Sequence, residues 1–337
     1  LKISIGAIKC SRGNVNYNPD GPENLTASFD FLIKELDFEG KLKNIETLWD
    51  DSCLILSNVT YQFPDSVYKI TVDQIDLSLE ESDIELSRFS YYSNLSEVAF
   101  PRHFGWRKSK LKIDIPKLSI SRPKDFSDSL LVISKMQIDS LYFEIHKNLS
   151  YPWPDRVTKL PQEFFANMDI PIRVDSIAFK NSAFKFIGVF DGRPSELEFS
   201  DIRGSLTGFQ NIDTSGKLLT FNANAIFMKE TEVDFQTIYS YGKYSPFSLN
   251  AKIGATKLSF MSDFLQRVAG KRIASGEASI LEIVMSGTEV GKQGHVDFYY
   301  NINKVETIDH DTCDKKWILN VVAELARGEL FWKAITT

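Results

Sequence analysis

Alternation of hydrophobic and polar residues is the dominant pattern of this chain. Side chains of a half-buried strand point to opposite faces in turn, so such alternation predicts strands with one apolar face. Short polar breaks such as "EESD" and "FDGRPSE" favour hairpins and hence antiparallel pairing. The predicted strands are Leu25–Ile33, Cys53–Phe63, Tyr68–Leu86, Leu111–Ile120, Leu131–Ile145, Ile170–Phe186, Leu197–Leu206, Leu219–Phe227, Val233–Tyr239, Phe247–Phe260, Ala278–Met285 and His295–Ile302.

Several of these runs change phase in the middle. In "IPIRVDSIAFKNSAFKFIG" the apolar alternation stops at Val174 and resumes one residue out of step at Ile177. "ITVDQIDLSL" slips between Val72 and Ile75, "KMQIDSLYFEI" slips between Ile138 and Leu141, and "IDIPKLSIS" shows a looser example. Since a slip would turn apolar residues outward, we predict a β-bulge or a tight corner at each site. The fold class expected is mainly β, an elongated, curved and twisted antiparallel sheet.

Helix signals are few. "LPQEFFANM" has a proline where a short helix would begin, and Ser262 is placed to cap a short helix that closes at Gly270. The C-terminal "KKWILNVVAELARGELFWKAI" is amphipathic. We therefore expect a β segment over 1–67, a β body over 68–310 and an amphipathic helix over 311–337.

The predicted elements leave a packing problem. About a dozen strands with one apolar face need a cover, and three short helices supply little of it. Two paired sheets in a sandwich would solve this problem. A single sheet curled into an open trough would also solve it, with its apolar side facing itself or a lipid.

Composition narrows the range of partners. The net charge is -6 over 337 residues, and no basic run is interleaved with aromatics, so nucleic acid is not expected. Cys10, Cys53 and Cys313 form neither a disulfide framework nor a zinc motif, although a Cys10–Cys53 bridge stays open. The first residues, "LKISIGAIKC", contain no signal peptide and no membrane anchor, which we interpret as trimming of a longer chain.

Motifs of catalysis are not found. The chain has no G-x-S-x-G, H-E-x-x-H or G-x-G-x-x-G pattern, so we predict no catalytic residue, cofactor or metal. The densest ligand-like cluster is "DHDTCD", in which neighbouring side chains of an extended segment point apart. An acidic linker is the simpler interpretation, and structural roles are expected for His103, His146 and His295.

The order of several phrases resembles a known family. "YKITVDQIDLSLEESDIELSRFSYYS", "FPRHFGWRKSKLKIDIPKLSIS", "LPQEFFANMDIPIRVDSIAFKNSAFKF" and "SELEFSDIRGSLTGFQN" are similar to the bulk of AsmA-like proteins of Gram-negative bacteria, especially the Bacteroidota type. "LSFMSDFLQRVAGKRIASGEASILEIVMSG" with "GKQGHVDFYYNINKVETI" is similar to the closing module of that family. The resemblance spans roughly Tyr68 to Ile308. It implies a periplasmic body tethered to a membrane, with a role in outer-membrane homeostasis and phospholipid movement.

The first functional hypothesis is therefore a non-enzymatic protein that shields or transfers phospholipid along an apolar groove, with envelope proteins as further partners. Its predicted lining residues are Ile172, Val174, Ile177, Phe179, Phe184, Phe186, Leu197 and Phe199, for which an ordinary closed core is the alternative. A second hypothesis is an adhesive β-sandwich that binds through aromatics such as Trp106, Tyr151 and Trp153. A third is an enzyme with scattered catalytic residues.

Overall fold

The computed structural model of the chain describes residues 2–18, 24–39, 53–78, 83–121, 126–127, 130–152, 171–190, 192–212, 217–241, 246–262, 266, 271–288 and 291–307. These residues form a mainly β protein with one large sheet of 17 strands. The first half contains β1 (Lys2–Tyr17), β2 (Asn24–Glu39), β3 (Cys53–Gln62), β4 (Tyr68–Ser78), β5 (Asp83–Ser93), α1 (Ala99–Phe104), β6 (Ser109–Ser121), β7 (Phe126–Ser127), β8 (Leu130–Asp139) and β9 (Tyr142–Asn148). The second half contains β10 (Ile172–Phe190), β11 (Arg193–Gln210), β12 (Leu218–Phe227), β13 (Thr231–Ser240), β14 (Phe247–Ile253), β15 (Thr256–Lys257), a 3-10 helix (Leu258–Met261), β16 (Lys271–Gly287) and β17 (Lys292–Thr307).

The strands pair largely in chain order. Antiparallel pairs link β1 through β6 in sequence, and a second series links β10 through β14 and then β16 and β17. The end-to-end strands β8 and β9 lie between β6 and β10 and join the two series. The described strands of the 1–67 segment, β1 to β3, belong to the same sheet, because β3 pairs with β4 across the predicted boundary.

One part of the sheet departs from the antiparallel prediction. β10 runs parallel to both β8 and β9. A parallel neighbour requires a crossover of a dozen or more residues, and the chain between Asn148 and Ile172 is long enough to supply one. The predicted helix at Leu160–Met168 falls in this connection, outside the described residues.

The two faces of the sheet differ in character. We call the face that carries Phe186, Leu197 and Phe227 the inner face, and the opposite face the outer face. In β12, β13 and β14 the odd-numbered residues are buried or half-buried, while most even-numbered residues are exposed. The main apolar cluster of the inner face has eight buried members, namely Ile145, Phe186, Leu197, Phe227, Val233, Leu258, Ile273 and Ala278.

Most of the phase slips form one line across the sheet. From β3 to β10 the residues at these slips face each other in neighbouring strands, as the flanking pairs show, and Asp201 marks the slip of β11 close to the same level. The set is Asn58, Asp73, Arg88, Pro116, Ser140, Asn181 and Asp201. We call this set the slip line. Five of its members have a positive φ of 48° to 62°: Asn58, Arg88, Ser140, Asn181 and Asp201. On either side of the line, residues such as Ile115 and Leu118 are both buried, so the apolar set stays on the inner face.

Alignment of the slips keeps most of the pairing in register. Val72 faces Val59 before the line and Ile75 faces Leu56 after it, with no change of register. A bulge in one strand opposes two residues to one, whereas slips at the same level in two neighbouring strands match the extra residues. The register shifts towards the two ends of the line, between β2 and β3, between β10 and β11 on both sides of Ser182, and between β11 and β12.

The bulge predicted at Asp175 and Ser176 is not present as such. Register is unbroken through this site, because Val174 and Ser176 face Phe209 and Thr207. The partner strand compensates with its own slip at Gly208, which has a φ of +76° and whose flanking Leu206 and Phe209 pack on one cluster. The predicted bulge, which would shift the register, is therefore wrong at this site. Instead, two matched slips in the neighbouring strands keep the register.

The two described helices lie against the inner face. Phe100 of α1 is 1% exposed and packs with Val67 and Tyr68, while Leu258 of the 3-10 helix is 3% exposed within the main apolar cluster. α1 was not predicted. Ser262 ends the 3-10 helix, and its hydroxyl donates to the carbonyl of Ile273 at 2.6 Å. The predicted C-terminal helix over 311–337 lies outside the described residues.

Candidate functional site: an apolar inner face

The eight predicted groove residues lie in β10 and β11. Val174, Phe186 and Leu197 are each 1% exposed, so they belong to the packed core of this structure. Ile172, Ile177, Phe179, Phe184 and Phe199 are half-buried. A ligand on this face would therefore contact the second group, while the first group forms the floor beneath it.

A row of large side chains crosses the inner face from β1 to β12. Phe184 faces Phe199, Phe199 faces Phe227, and the same level continues through the paired strands to the other side. Its members, in strand order, are Tyr17, Leu25, Tyr61, Ile70, Tyr91, Ile113, Phe143, Phe184, Phe199 and Phe227. Exposure falls from 59% at Tyr17 to 6% at Phe227, so the row is open at one side of the sheet and closed at the other.

Ring contacts run along the closed part of this row. The ring centroids of Phe143 and Phe184 are 5.5 Å apart, those of Phe184 and Phe199 are 6.1 Å apart, and those of Phe199 and Phe227 are 4.7 Å apart. Tilted aromatic pairs at these separations are favourable beyond the area they bury. We call the four rings the first aromatic ladder.

A second ladder lies on the other side of the slip line. Phe179 contacts Phe221 at 6.1 Å between centroids, and Phe221 contacts Phe235 at 5.7 Å. Gly204 separates the first two rings, and a Cβ there would lie 2.2 Å from the carbonyl oxygen of Asn222. The glycine thus permits close approach of β11 and β12 and leaves the two rings in contact across it.

The rings of both ladders other than Phe227 are half-buried. Aromatic side chains at the centre of a closed core are normally buried almost completely. The inner face thus presents apolar surface that the described part of the chain does not cover fully.

The outer face offers polar groups in cross-strand pairs. Gln236 donates to Asn222 at 2.8 Å, and Asn224 donates to Asp234. Lys185 and Glu196 form an ion pair at 2.7 Å. These contacts are those of a solvated sheet surface, where exposed pairs contribute little to stability.

Residues considered for other functions are dispersed. Within the described ranges no three side chains of His, Cys, Asp or Glu converge as a metal site. His103 is exposed beside Phe104. The Nε2 atom of His295 lies 3.8 Å from Oδ2 of Asp297. "DHDTCD" and Trp153 lie outside the described residues, while Trp106 and Tyr151 are half-buried.

His146 is buried beside a carboxylate. It is 7% exposed, and its Nε2 lies 3.7 Å from Oε2 of Glu97. Burial lowers the pKa of His146, and the nearby Glu97 only partly opposes that effect. The imidazole is therefore neutral near pH 7.

The disulfide between Cys10 and Cys53 that the sequence left open does not form in this structure. Both cysteines are free, and β2 lies between their strands, with Cys10 facing Phe31 and Cys53 facing Leu32. Strands in a sheet are about 4.8 Å apart, so the two Cα atoms are about 10 Å apart, beyond the reach of a disulfide.

Sequence reasoning missed one group of residues at the end of the inner face. Ser109, Lys147 and Ser195 are polar, yet each is at most 4% exposed. The signal was present, because each occupies the apolar phase of its strand, as in "SKLKI", where Ser109 precedes Leu111 and Ile113. Polar residues on the apolar phase of a strand point into the interior.

Comparison with known proteins does not assign the chain to a family. No family model matches it, and no curated protein matches it. No helix in the described part of the chain combines the length and hydrophobicity needed to cross a bilayer.

Proposed function

We propose that this chain holds phospholipid acyl chains against the inner face of its sheet and so shields or transfers lipid in the bacterial envelope. The observation that supports the proposal is the half-buried aromatic surface of the two ladders. A protein interior normally closes over such side chains, and a contiguous apolar surface that stays partly exposed marks a candidate binding site.

Acyl chains have the chemistry that this surface would take. The lining of the ladders is phenylalanine with aliphatic neighbours such as Ile177 and Leu206, which offer no polar group to a ligand. Burial of one methylene is worth about 0.8 kcal/mol, so about ten methylenes supply roughly 8 kcal/mol before the cost of ordering the lipid. Only the surplus over that cost appears as affinity, so the gain grows with the number of methylenes that the inner face covers.

The cellular setting rests on sequence resemblance. The ordered phrases similar to AsmA-like proteins support a periplasmic position, a tether to a membrane and a role in outer-membrane homeostasis. One large twisted sheet with few helices agrees with that proposal. The proposed mechanism needs no catalytic residue, since the lipid moves without covalent change.

Extraction of bound lipid tests the proposal. Protein purified gently without detergent is extracted with organic solvent, and the extract is analysed by mass spectrometry beside an unrelated protein of similar size. We expect near-stoichiometric phospholipid from this chain and none from the control. A clean extract, together with no binding of added phospholipid, would contradict the proposal.

A matched pair of variants locates the lipid. Phe221→Glu places a charge on the inner face, and Asn222→Glu places the same charge one residue away on the outer face. We expect at least a tenfold loss of bound phospholipid for the first variant and wild-type lipid content for the second. Equal lipid content in both would place the lipid elsewhere.

A further inference from the structure

A row of polar residues closes one end of the inner face. Ser109 faces Lys147, Lys147 faces Gly188, and Gly188 faces Ser195 across four neighbouring strands. Ser109 is 3%, Lys147 0% and Ser195 4% exposed. This polar row lies directly beyond the apolar Ile145, Phe186 and Leu197 of the same strands.

The serine hydroxyls of the polar row are unsatisfied. The Oγ atoms of Ser109 and Ser195 are buried and have no hydrogen-bond partner among the described residues. Such orphaned groups are rare in native proteins, and hydrogen bonds to a bound ligand would satisfy them. Two hydroxyls that can donate, on either side of a buried cation, are suited to an anionic oxygen group.

Lys147 supplies the positive charge of the row. It already takes part in an interaction within the chain, but an ammonium has three donors and can bond further acceptors. Burial of an ammonium in an apolar setting is costly unless negative charge or acceptors accompany it. A bound anion at the row would reduce that cost.

A small cover lies over the row. The Leu149 side chain rests on Gly188, and its Cδ1 lies 3.1 Å from the position that a Cβ added to Gly188 would occupy. Arg107 donates to the carbonyl oxygens of Leu149 and Tyr151, which holds this segment in place. Entry of a ligand therefore requires a shift of the segment from Leu149 to Pro152.

From these contacts we infer that the polar row binds the phosphate group of the phospholipid whose acyl chains lie on the inner face. The inference rests on the proposed function and names its polar contacts. Lys147 and Ser109 lie in adjacent strands, about 5 Å apart, and donate to the phosphate oxygens. Ser195, about 10 Å from Lys147, donates to an ester oxygen of the same lipid.

A comparison of two lipids tests the inference. Phosphatidylglycerol and diacylglycerol with the same acyl chains are titrated into delipidated protein, with native mass spectrometry as the readout. We expect wild type to bind phosphatidylglycerol at least tenfold more tightly than diacylglycerol. Lys147→Met should abolish this preference and leave diacylglycerol binding unchanged, while Lys185→Met, on the outer face of β10, should keep the preference.

The outcomes separate the two claims. If wild type binds neither lipid, the proposed function fails. If wild type binds both equally, or Lys147→Met keeps the preference, the phosphate site is refuted and the groove stands. If Lys147→Met does not fold, the double variant Ser109→Ala and Ser195→Ala replaces it, since it removes hydroxyls without partners, and a retained full preference would refute the site.

Inorganic phosphate distinguishes the source of the anion. We expect millimolar phosphate to weaken phosphatidylglycerol binding in wild type and to leave diacylglycerol binding unchanged. Phosphate that binds the row while phosphatidylglycerol shows no preference would mean a site for free phosphate, and would overturn the assignment to lipid.

Discussion

Left-handed backbone at non-glycine residues marks the slip line. Asn58, in β3, has a φ of 52° and an exposed side chain, whereas Gln74, in the neighbouring β4, is exposed with ordinary strand dihedrals. Asparagine tolerates this conformation better than most residues, and β-branched residues tolerate it least. Backbone conformation, more than contact, should decide which residues fit at Asn58.

Valine and glycine substitutions should therefore rank in opposite order of stability at these two positions. Asn58→Val should destabilise the protein by about 1–2 kcal/mol, and Asn58→Gly should change stability by less than about 0.5 kcal/mol. At Gln74 the order reverses, because valine favours a strand and glycine weakens it. Urea denaturation of the four variants measures this, and the same order at both positions would contradict the role of the slip line.

His146 makes stability depend on pH. Its pKa in the folded protein lies below the ordinary 6.5, because burial disfavours the charged form. As pH falls below about 6.5 the unfolded chain takes up a proton that the folded protein resists, so stability is lost toward acid. The groups that face it and act on this pKa are Glu97, Lys110 and Glu144.

A pH series of unfolding experiments checks this expectation. Wild type should lose stability between pH 6.5 and pH 5 more steeply than His146→Gln, which cannot take up that proton. The difference between the two slopes isolates the histidine from the many carboxylates that also titrate. Parallel curves over this range would contradict a buried neutral imidazole.

The elements show what the sequence pattern could and could not predict. The alternation of hydrophobic and polar residues located most strands, since one face of the sheet is buried and the other faces solvent. The phase slips were visible at Val72, Ile138 and Val174, because exposed residues there interrupt the apolar period. The alignment of the slips after Val72 and Ile138 with those of other strands was not visible, since it depends on which strands become neighbours, and the slip after Val174 lies off that line.

Other features depended on tertiary contacts. β1 was not predicted as a strand, and α1 was missed because its six residues contain Pro101 and derive their order from packing of Phe100 on Tyr68. The parallel partners of β10 were missed because short polar breaks favoured hairpins, and the one helix signal in the crossover, at Leu160–Met168, is short. For the groove residues, the alternation indicated that they share one face of the sheet. It could not distinguish fully buried residues such as Phe186 from half-buried ones such as Phe199.

The first aromatic ladder should act as a cooperative element. Phe199 and Phe227 belong to adjacent strands with ring centroids 4.7 Å apart, so their truncation to alanine should be non-additive. A double-mutant cycle should give a coupling of about 0.5–1.5 kcal/mol in unfolding free energy. Phe199 paired with Phe247, which belongs to a different cluster, serves as the control and should be additive. Additivity for both pairs would show that the rings only fill space.

At the scale of the molecule, one sheet carries an apolar face that its described helices cover only in part. α1 and the 3-10 helix each pack on one portion of that face, and the middle of the sheet presents the two aromatic ladders. The aligned slips let eight strands, β3 to β6 and β8 to β11, keep their apolar residues on the same side, with register shifts only towards the ends of the line. The result is a long apolar surface with a polar row at one end.

The measurement that tests this account most directly is photo-crosslinking from both faces. Benzoylphenylalanine is placed at Phe179 or Phe235 on the inner face and at Asn222 or Asp234 on the outer face, and each variant is illuminated with phospholipid vesicles. The account predicts a mass increase of one phospholipid at the inner positions and none at the outer positions. Adducts of equal yield on both faces, or none at the inner positions, would contradict it.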